Sequence, residues 1–326
     1  MTSGPVPRRR SLADIPWPDL VLLIGLVIAF VVMSRLSPAF LTAQNLFEVT
    51  RFSAEVGLIA LGMTLVIITG GIDLSVGSVV GLSGVVLGLL VTGGMNVWLA
   101  VALTLILGVA CGVLNGLAIA RIGIPPLIVT LATLAVYRGL SLGLSQGRSF
   151  DQFPARFFGL GQGYLGPVPV QLLVLAVAAG LVAFVLRRHA LGRMVYAVGN
   201  NETAARFAGV PTGRVLIVVY ALSGLLAGLA GIVYTARLSS ARADAGTGFE
   251  LDAIAAVVLG GTAITGGSGG VVGTLLGLLL VGVIRNGLTL AFVPAEYQAI
   301  VIGACLLVAV LLNQVFRARR TAANRN

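Results

Sequence analysis

Long apolar runs recur along almost the whole length of this 326-residue sequence and restrict its fold more than any other feature. Runs of about 17 or more residues with few charges are long enough to cross the hydrocarbon core of a membrane as helices. Hydrophobic residues make up 58% of the chain and charged residues only 10%, and a soluble domain cannot cover such a composition with polar surface. The sequence therefore predicts an all-α polytopic membrane protein.

About ten transmembrane helices are predicted. The apolar runs cover residues 20–33, 54–69, 74–92, 97–120, 127–145, 168–186, 215–236, 249–265, 271–291 and 297–313. The eighth run is interrupted by Gly260-Gly261 and is barely long enough to cross, which indicates a broken or re-entrant helix. We predict one transmembrane domain over residues 20–313, with cytoplasmic tails at 1–19 and 314–326.

The positions of the basic residues predict the orientation. All 21 of them are arginine, and ten crossings would place thirteen of these on the side that holds both termini. Short loops rich in basic residues stay in the cytoplasm, so the N- and C-termini are predicted to be cytoplasmic. Because the arginines flank the spans, the net charge of +10 indicates contact with a lipid membrane and not with nucleic acid.

The absence of lysine limits the chemistry of the chain. An ordinary ATP-hydrolysing site needs a P-loop lysine on the phosphates, and retinal and pyridoxal cofactors need a lysine Schiff base. Cys111 and Cys305 both lie in apolar runs and suggest neither a disulfide framework nor a metal site. We therefore expect no cofactor in this chain and no catalytic residue.

A polar segment at residues 187–214 interrupts the apolar runs and contains signals for a short helix of its own. Asn200 or Asn201 is placed to cap the first free N–H groups, and Glu202 follows in the first turn. Gly209 and Pro211 then end the helix. A separately capped helix outside the membrane is typical of a contact site for another protein, although a solvated linker helix would have the same signals.

Two glycine-rich segments interrupt the apolar runs without room for a real loop, which is tolerated at membrane depth only where protein or water satisfies the backbone. Both therefore indicate a pathway or a hinge. The residues in question are Gly70, Gly71, Asp73, Ser75, Gly77, Gly260, Gly261, Gly266 and Gly267. A carboxylate at this depth is costly, so Asp73 is either a gate or hinge pin, or a cap for the next helix together with Ser75.

Four arginines in the segments predicted to lie outside the cell are candidates for docking an acidic partner. They are Arg148, Arg156, Arg237 and Arg242. Unspecific surface charge is the alternative interpretation for each of them.

Four separated blocks carry a resemblance to a known family. ITGGIDLSVGS, TLATLAVYRG, GNNETAARFAGV and GFELDAIAAVVLGGTAITGGSGGVVGT occur in this order between about residues 41 and 312. Together they resemble the permease subunit of ribose-type monosaccharide ABC importers, a group that includes autoinducer-2 permeases. The resemblance implies a homodimeric or heterodimeric permease in the bacterial inner membrane, a cytoplasmic ATPase that binds ATP and magnesium, and an extracytoplasmic sugar-binding protein.

The resemblance also implies that the polar segment holds the coupling helix, which docks into the ATPase. In this sequence that role falls on Gly199, Asn200, Asn201, Glu202, Ala204, Ala205, Arg206 and Gly209, with Glu202, Ala204, Ala205 and Gly209 at the centre. Two alternatives stay open at this point. An ion-coupled secondary transporter would need several intramembrane acids, of which only Asp73 is evident, and a channel or scaffold would leave the capped helix unexplained.

Overall fold

The computed structural model describes residues 17–294, 296–305, 307–308 and 311, and these residues are almost entirely helical. The predicted tail at 314–326 and most of the tail at 1–19 lie outside the described residues. The helices are α1 Trp17–Leu36, α2 Ala43–Ile68, α3 Val76–Thr92, α4 Val97–Leu117, α5 Pro126–Ser145, α6 Ala155–Gln162, α7 Val170–Arg188, α8 Ala190–Asn200, α9 Glu202–Phe207, α10 Thr212–Leu238, α11 Phe249–Leu259, α12 Val271–Leu290 and α13 at residues 296–305.

Six of the described helices are long and apolar enough to cross a membrane. They are Gln44–Ile68, Val97–Ile122, Pro126–Ser145, Val170–Arg188, Thr212–Leu238 and Val271–Leu290, and Leu22–Leu36 and Val76–Thr92 are shorter apolar helices. The prediction of an all-α polytopic fold is confirmed. The count of ten crossings stays a prediction.

Helix α2 begins at Ala43, well before the predicted start of the second span at residue 54. Thr42 caps it by accepting a hydrogen bond from the Asn45 N–H at 3.3 Å. The charged residues Glu48 and Arg51, which precede the predicted start, are accommodated in the helix as an ion pair at 2.9 Å.

Helix α11 is too short to cross by itself. Its 11 residues are about 16 Å long, roughly half the thickness of a hydrocarbon core. It ends at Leu259, directly before the Gly260-Gly261 pair that predicted a break. The segment before it, residues 239–248, consists mainly of turns and lies along α3. Arg138 of α5 donates hydrogen bonds to the carbonyls of Ala243 and Ala245 in this segment.

Helices α10 and α2 lie at the centre of the bundle, and α10 packs against α4, α2 and α3. The contact between α4 and α10 depends on small residues: an added Cβ at Gly112 would overlap the backbone carbonyl of Tyr220. Such close approach is the usual means by which membrane helices associate, because lipid offers no hydrophobic driving force.

The two ends of the bundle are built differently. At one end, hereafter the loop end, lie α6, the two-stranded hairpin of β1 Tyr164–Leu165 and β2 Val168–Pro169, and an isolated bridge between Phe150 and Ala241. At the other, the junction end, the chain leaves α7, forms α8 and α9 and enters α10. This end also contains the end of α2, the end of α11 and the start of α12, as the contacts below establish.

Candidate functional site

The first glycine-rich break, residues 69–75, connects α2 to α3 and is held by side chains from the surrounding helices. Gly70 turns the chain with a φ of +84°, which favours glycine. Thr130 of α5 donates a hydrogen bond to the Ile72 carbonyl at 3.1 Å. Gly71 faces the hydroxyl of Tyr220 on α10. The break is therefore enclosed by α5 and α10, as backbone at membrane depth requires.

Asp73 is the centre of a buried polar network. Its side chain is 1% exposed, and its Oδ1 accepts hydrogen bonds from the Ser75 N–H at 3.0 Å and the Ser75 hydroxyl at 2.6 Å. Its Oδ2 accepts from the Ser223 hydroxyl of α10 at 3.0 Å, and Asn115 of α4 donates to the Ser75 hydroxyl at 2.9 Å. Asp73 thus connects the break to two core helices.

The capping interpretation is wrong for Ser75 and only partly right for Asp73. Ser75 occupies the N-cap position of α3 but makes no side-chain capping hydrogen bond. Asp73 accepts the N–H of Ser75, the residue before the helix, so it shapes the entry to α3 and does not bind the free N–H groups of its first turn. Gly77 is no turn residue either: it lies in α3 against Glu250 and Gly246.

The second break, residues 260–270, folds into a compact loop between α11 and α12. Gly261, Gly266 and Gly267 adopt φ values of +83°, +84° and +77°. The Ala263 N–H donates to the Ser268 carbonyl at 3.0 Å, and the Gly266 N–H donates to the Ala263 carbonyl at 2.9 Å. Gly260 ends α11 without positive φ and packs against Gly273 at the start of α12.

The two breaks and the end of α8 meet in one place, which we call the junction. The Gly267 N–H donates a hydrogen bond to the Ile68 carbonyl, the last residue of α2, at 2.9 Å. An added Cβ at Gly199 would overlap that same Ile68 oxygen and the Gly267 nitrogen. Three segments that are far apart in sequence are therefore in backbone contact.

A side chain of α8 also reaches the second break. The Tyr196 hydroxyl donates to the Gly269 carbonyl at 2.8 Å, and an added Cβ at Gly267 would overlap the side chain of Asn200. Burial raises the pKa of Tyr196 above its ordinary value, so the hydroxyl remains a donor at neutral pH. These contacts could not be predicted from the sequence, because nothing in the pattern relates Tyr196 to Gly269.

Helix α9 has the signals that the sequence predicts. The cap is Asn201, whose Oδ1 accepts from the Ala204 N–H at 2.9 Å, and Gly209 follows the helix with a φ of +82°. Glu202 and Arg206 form an exposed i,i+4 ion pair at 2.8 Å. Ala204 is exposed like both of them.

The two faces of α9 correct the predicted contact set. Ala205, placed at the centre of that set, is only 6% exposed and faces the protein. Phe207, which the sequence analysis did not select, is 89% exposed. A large aromatic side chain in water beside a capped helix is typical of an anchor for a partner.

The four candidate docking arginines have different surroundings. Arg148 and Arg156 are exposed. Arg242 is exposed but forms two hydrogen bonds with Asp244, at 3.0 and 2.9 Å, and these bonds lower the pKa of that carboxyl. Arg237 binds the fully buried Glu55 at 2.7 Å and holds no free charge for a partner. The interpretation of Arg237 as a docking residue is therefore wrong.

Sequence analysis also missed two carboxylates. Glu55 of α2 and Asp252 of α11 are buried, and each is paired with an arginine, Glu55 with Arg237 and Asp252 with Arg285 at 2.8 Å. The signal was present, because both acids lie among the first four residues of predicted spans, yet only Asp73 was considered as an intramembrane acid. Asp73 is thus one of three buried carboxylates in the described part of the chain.

Comparison with known proteins identifies the family of this chain. The family described as "Branched-chain amino acid transport system / permease component" matches residues 45–310. The chain belongs to this permease family. It is therefore a component of a membrane transport system and not an enzyme. No solved structure matches the chain.

Sugar permeases are among its relatives. The ribose import permease protein RbsC of Escherichia coli K12 is 42% identical over 319 residues, covering 96% of this chain and 99% of that protein. The Bacillus subtilis protein of the same name is 43% identical over 293 residues, covering 89% and 91%. The autoinducer 2 import system permease protein LsrD of Klebsiella pneumoniae is 37% identical over 298 residues, covering 90% of this chain and 89% of LsrD.

Proposed function

We propose that this chain is the membrane-spanning permease of an ATP-driven ABC importer for a monosaccharide. The observation that carries the mechanism is the junction: Gly199, at the end of α8, is in backbone contact with Ile68 and Gly267. Relatives of nearly the same length are named ribose, D-allose and L-arabinose permeases, which favours a sugar over the amino acid in the family's description.

The energy would come from a separate ATPase that binds ATP and magnesium. This chain has no lysine, so it lacks the P-loop residue that contacts the nucleotide phosphates. Helix α9 supplies the contact surface, with Phe207 as its apolar anchor and the Glu202–Arg206 pair beside it. Asn201 and Gly209 fix its two ends.

Movement of α9 would reach the breaks through α8. The two helices are separated by a single residue, Asn201. At Gly199, α8 contacts the backbone of Ile68 and Gly267 so closely that no side chain fits between them. ATP binding would draw the α9 helices of two permease subunits together and reorient the helices that follow the breaks. This is a rigid-body mechanism of alternating access.

The orientation follows from charge. Arg187, Arg188, Arg193, Arg206 and Arg214 all belong to the segment that contains α8 and α9, and the positive-inside rule favours a cytoplasmic location for it. The junction end would then face the cytoplasm of a bacterium and the loop end the other side of the inner membrane. About ten crossings follow if α1, α3 and α13 span the membrane and if residues 239–248 and α11 together count as one crossing.

The loop end would receive the sugar-binding protein. Arg148 and Arg156 are exposed there and suit acidic patches on such a partner, whereas the charge of Arg242 is already offset by Asp244. A second permease copy, identical or related, completes the transporter. An autoinducer-2 substrate, as in the name of LsrD, is the alternative within the family.

An ion-coupled transporter is less well supported, although the structure contains three buried acids and not one. Glu55 and Asp252 are each neutralised by an arginine, and Asp73 accepts three hydrogen bonds. A carboxylate that is already held in this way is a poor site for a coupling ion or proton.

Reconstitution tests the proposal. The chain, its ATPase and its binding protein should together take up a radiolabelled sugar into proteoliposomes with ATP present, with D-ribose, D-allose, L-arabinose and autoinducer-2 tested in parallel. Uptake that needs an ion gradient and no ATP would contradict the proposal. Uptake of L-leucine and of no sugar would contradict the substrate class.

A matched pair of phenylalanines tests the role of α9. Phe207→Ala should weaken binding of the ATPase about 30-fold, the order expected for loss of an aromatic hot spot. Phe292→Ala is the control, because Phe292 is 94% exposed but lies after α12, at the loop end. Surface plasmon resonance of the two variants against the ATPase measures the difference, and equal affinities would remove Phe207 from the contact.

A further inference from the structure

A cavity of about 300 Å³ lies between α2, α10, α11 and α12, in the half of the bundle near the loop end. Its volume is at the lower limit for pockets that hold small ligands, which run from roughly 300 to 1,000 Å³. Its polar lining includes Ser53, Arg237, Asp252, Arg285, Asn286 and Gln298. Most of its lining surface is apolar, so the charged pair of Asp252 and Arg285 within it needs an explanation.

The charged groups of the cavity are paired but not saturated. Arg285 donates to Asp252 at 2.8 Å, and its Nε is buried without a hydrogen-bond partner among the described residues. The Asp252 side chain is buried but 42% of the Arg285 side chain is exposed, and an ion pair in such surroundings adds little net stability. The pair is therefore poorly explained as a structural element, and its unfilled donor suits a polar ligand.

Two aromatic side chains also line the cavity. The rings of Tyr234 and Phe249 meet edge to face with centroids 5.6 Å apart, and the guanidinium of Arg237 lies 5.3 Å from the centre of the Tyr234 ring. The neutral polyol that fits beside these rings has a C–H face for them and hydroxyl groups at its edge. Those hydroxyls need both donors and acceptors, which a guanidinium, a carboxylate and an amide supply together.

The position of the cavity connects it to the junction. Phe249 and Asp252, in the first turn of α11, line the cavity. The 11-residue helix then ends at Leu259, directly before the second break. That break contacts Gly199 and Asn200 of α8. A ligand in the cavity would therefore touch one end of a short rigid helix whose other end adjoins the segment from α8 to α9.

We infer that this cavity is a binding site for a neutral polyol of monosaccharide size, with Asp252 and Arg285 as its hydrogen-bonding pair and Tyr234 and Phe249 as its stacking side chains. The inference rests on the proposed function and deepens it, because it gives the permease a sugar site of its own. Binding is weak, since the two charges of the pair already offset each other and the ligand must be released.

Ligand-observed NMR on the full chain in lipid nanodiscs tests the site without transport. The probe is D-ribose, with L-leucine as the non-polyol comparison. The wild-type chain should give a saturable signal with D-ribose and none with L-leucine. Val56→Phe, which fills the cavity from α2, and the neutral double variant Asp252→Asn/Arg285→Gln should each raise the half-saturating D-ribose concentration about tenfold, as expected for loss of hydrogen bonds to charged groups.

The control is Leu103→Phe, an equal gain of aromatic volume on the exposed face of α4, which should bind D-ribose like the wild type. D-ribose binding that neither cavity variant changes would overturn the inference. Native mass spectrometry that finds a phospholipid held by the wild type and lost from Val56→Phe, with no D-ribose signal, would also overturn it and identify a lipid site.

The failure of this inference can be told apart from failure of the proposed function. If the wild-type complex with its ATPase and binding protein imports sugar, and both cavity variants bind and import it equally well, the proposed function stands and the cavity site falls. If the wild-type complex imports no sugar, the proposed function falls, and saturable binding of D-ribose by the chain alone still tests the cavity.

Discussion

The two glycine-rich breaks have similar sequences but are held by different kinds of contact. Side chains hold the first: Asp73, Ser75 and Ser223 bind one another, and Thr130 binds the Ile72 carbonyl. Backbone holds most of the second, through the Gly267 N–H to Ile68 and the close approach of Gly199.

This difference indicates which break moves. The first is tied to α4, α5 and α10, all long helices of the core, so it can shift only with them. The second bears on α8, a short helix that leads directly into α9. We therefore expect a pull on α9 to displace the second break and the start of α12 first, while the first break stays fixed to the core helices.

Gly199→Ala should have the largest effect. Its new methyl group would overlap the Ile68 oxygen and the Gly267 nitrogen, and neither backbone atom can rotate away. We expect a loss of about 3 kcal/mol in the free energy of unfolding and at least about tenfold in uptake rate. SDS-titration unfolding and proteoliposome uptake measure the two effects.

Gly180→Ala is the matched control, since an added Cβ there meets open space within another helix. It should be neutral or slightly stabilising, because alanine favours helix. If Gly199→Ala behaved like this control, the junction would be looser than its backbone contacts indicate, and the comparison between the breaks would fail.

Asp73→Ala should have the next largest effect and tests the first break. It removes the acceptor for three hydrogen bonds and leaves buried donors on Ser75 and Ser223, a loss of about 2 kcal/mol. Asp73→Asn should keep most of that stability, because an amide oxygen still accepts both Ser75 bonds and Ser223 can reverse its role.

Uptake by Asp73→Asn shows whether the first break is a fixed structural element or a gate. A fixed element held by hydrogen bonds does not need the charge of Asp73, so uptake at neutral pH should stay close to the wild-type rate. Stable Asp73→Asn protein with no uptake would show that the charge itself matters, and would make the first break the moving one.

Gly267→Ala should have the smallest effect of the three changes when it is compared with its control, Gly94→Ala. Gly267 and Gly94 both have positive φ, +77° and +86°, so alanine strains the backbone at either site by about 1 kcal/mol. Only at Gly267 does the new methyl also meet Asn200, whereas Gly94 faces open space.

We expect Gly267→Ala to be about 1 kcal/mol less stable than Gly94→Ala by the same unfolding assay, because the Asn200 side chain can partly move aside. Its uptake should fall more than its stability, if the second break transmits the movement of α8. Equal stability and uptake in both variants would mean that α8 does not bear on the second break.

The sequence determined the features that depend on local chemistry. Long continuous apolar runs determined the helical membrane class, because a helix satisfies its backbone hydrogen bonds within one lipid-facing segment. The cap at Asn201, the left-handed Gly209 and the end of α11 before Gly260-Gly261 follow from the residues at those positions. The lack of lysine excluded a P-loop without any structure.

Only the tertiary structure decided which of these features touch. Glu55 and Arg237 are 182 residues apart and become a buried pair because α2 and α10 pack side by side, which turned a predicted docking arginine into an internal one. Gly199, Ile68 and Gly267 meet for the same reason. The exposed and buried sides of α9 also depend on how it packs against its neighbours, so Ala205 of the predicted contact set is buried while Phe207 is exposed. Local propensity acts over a few residues, whereas these contacts depend on the packing of whole helices.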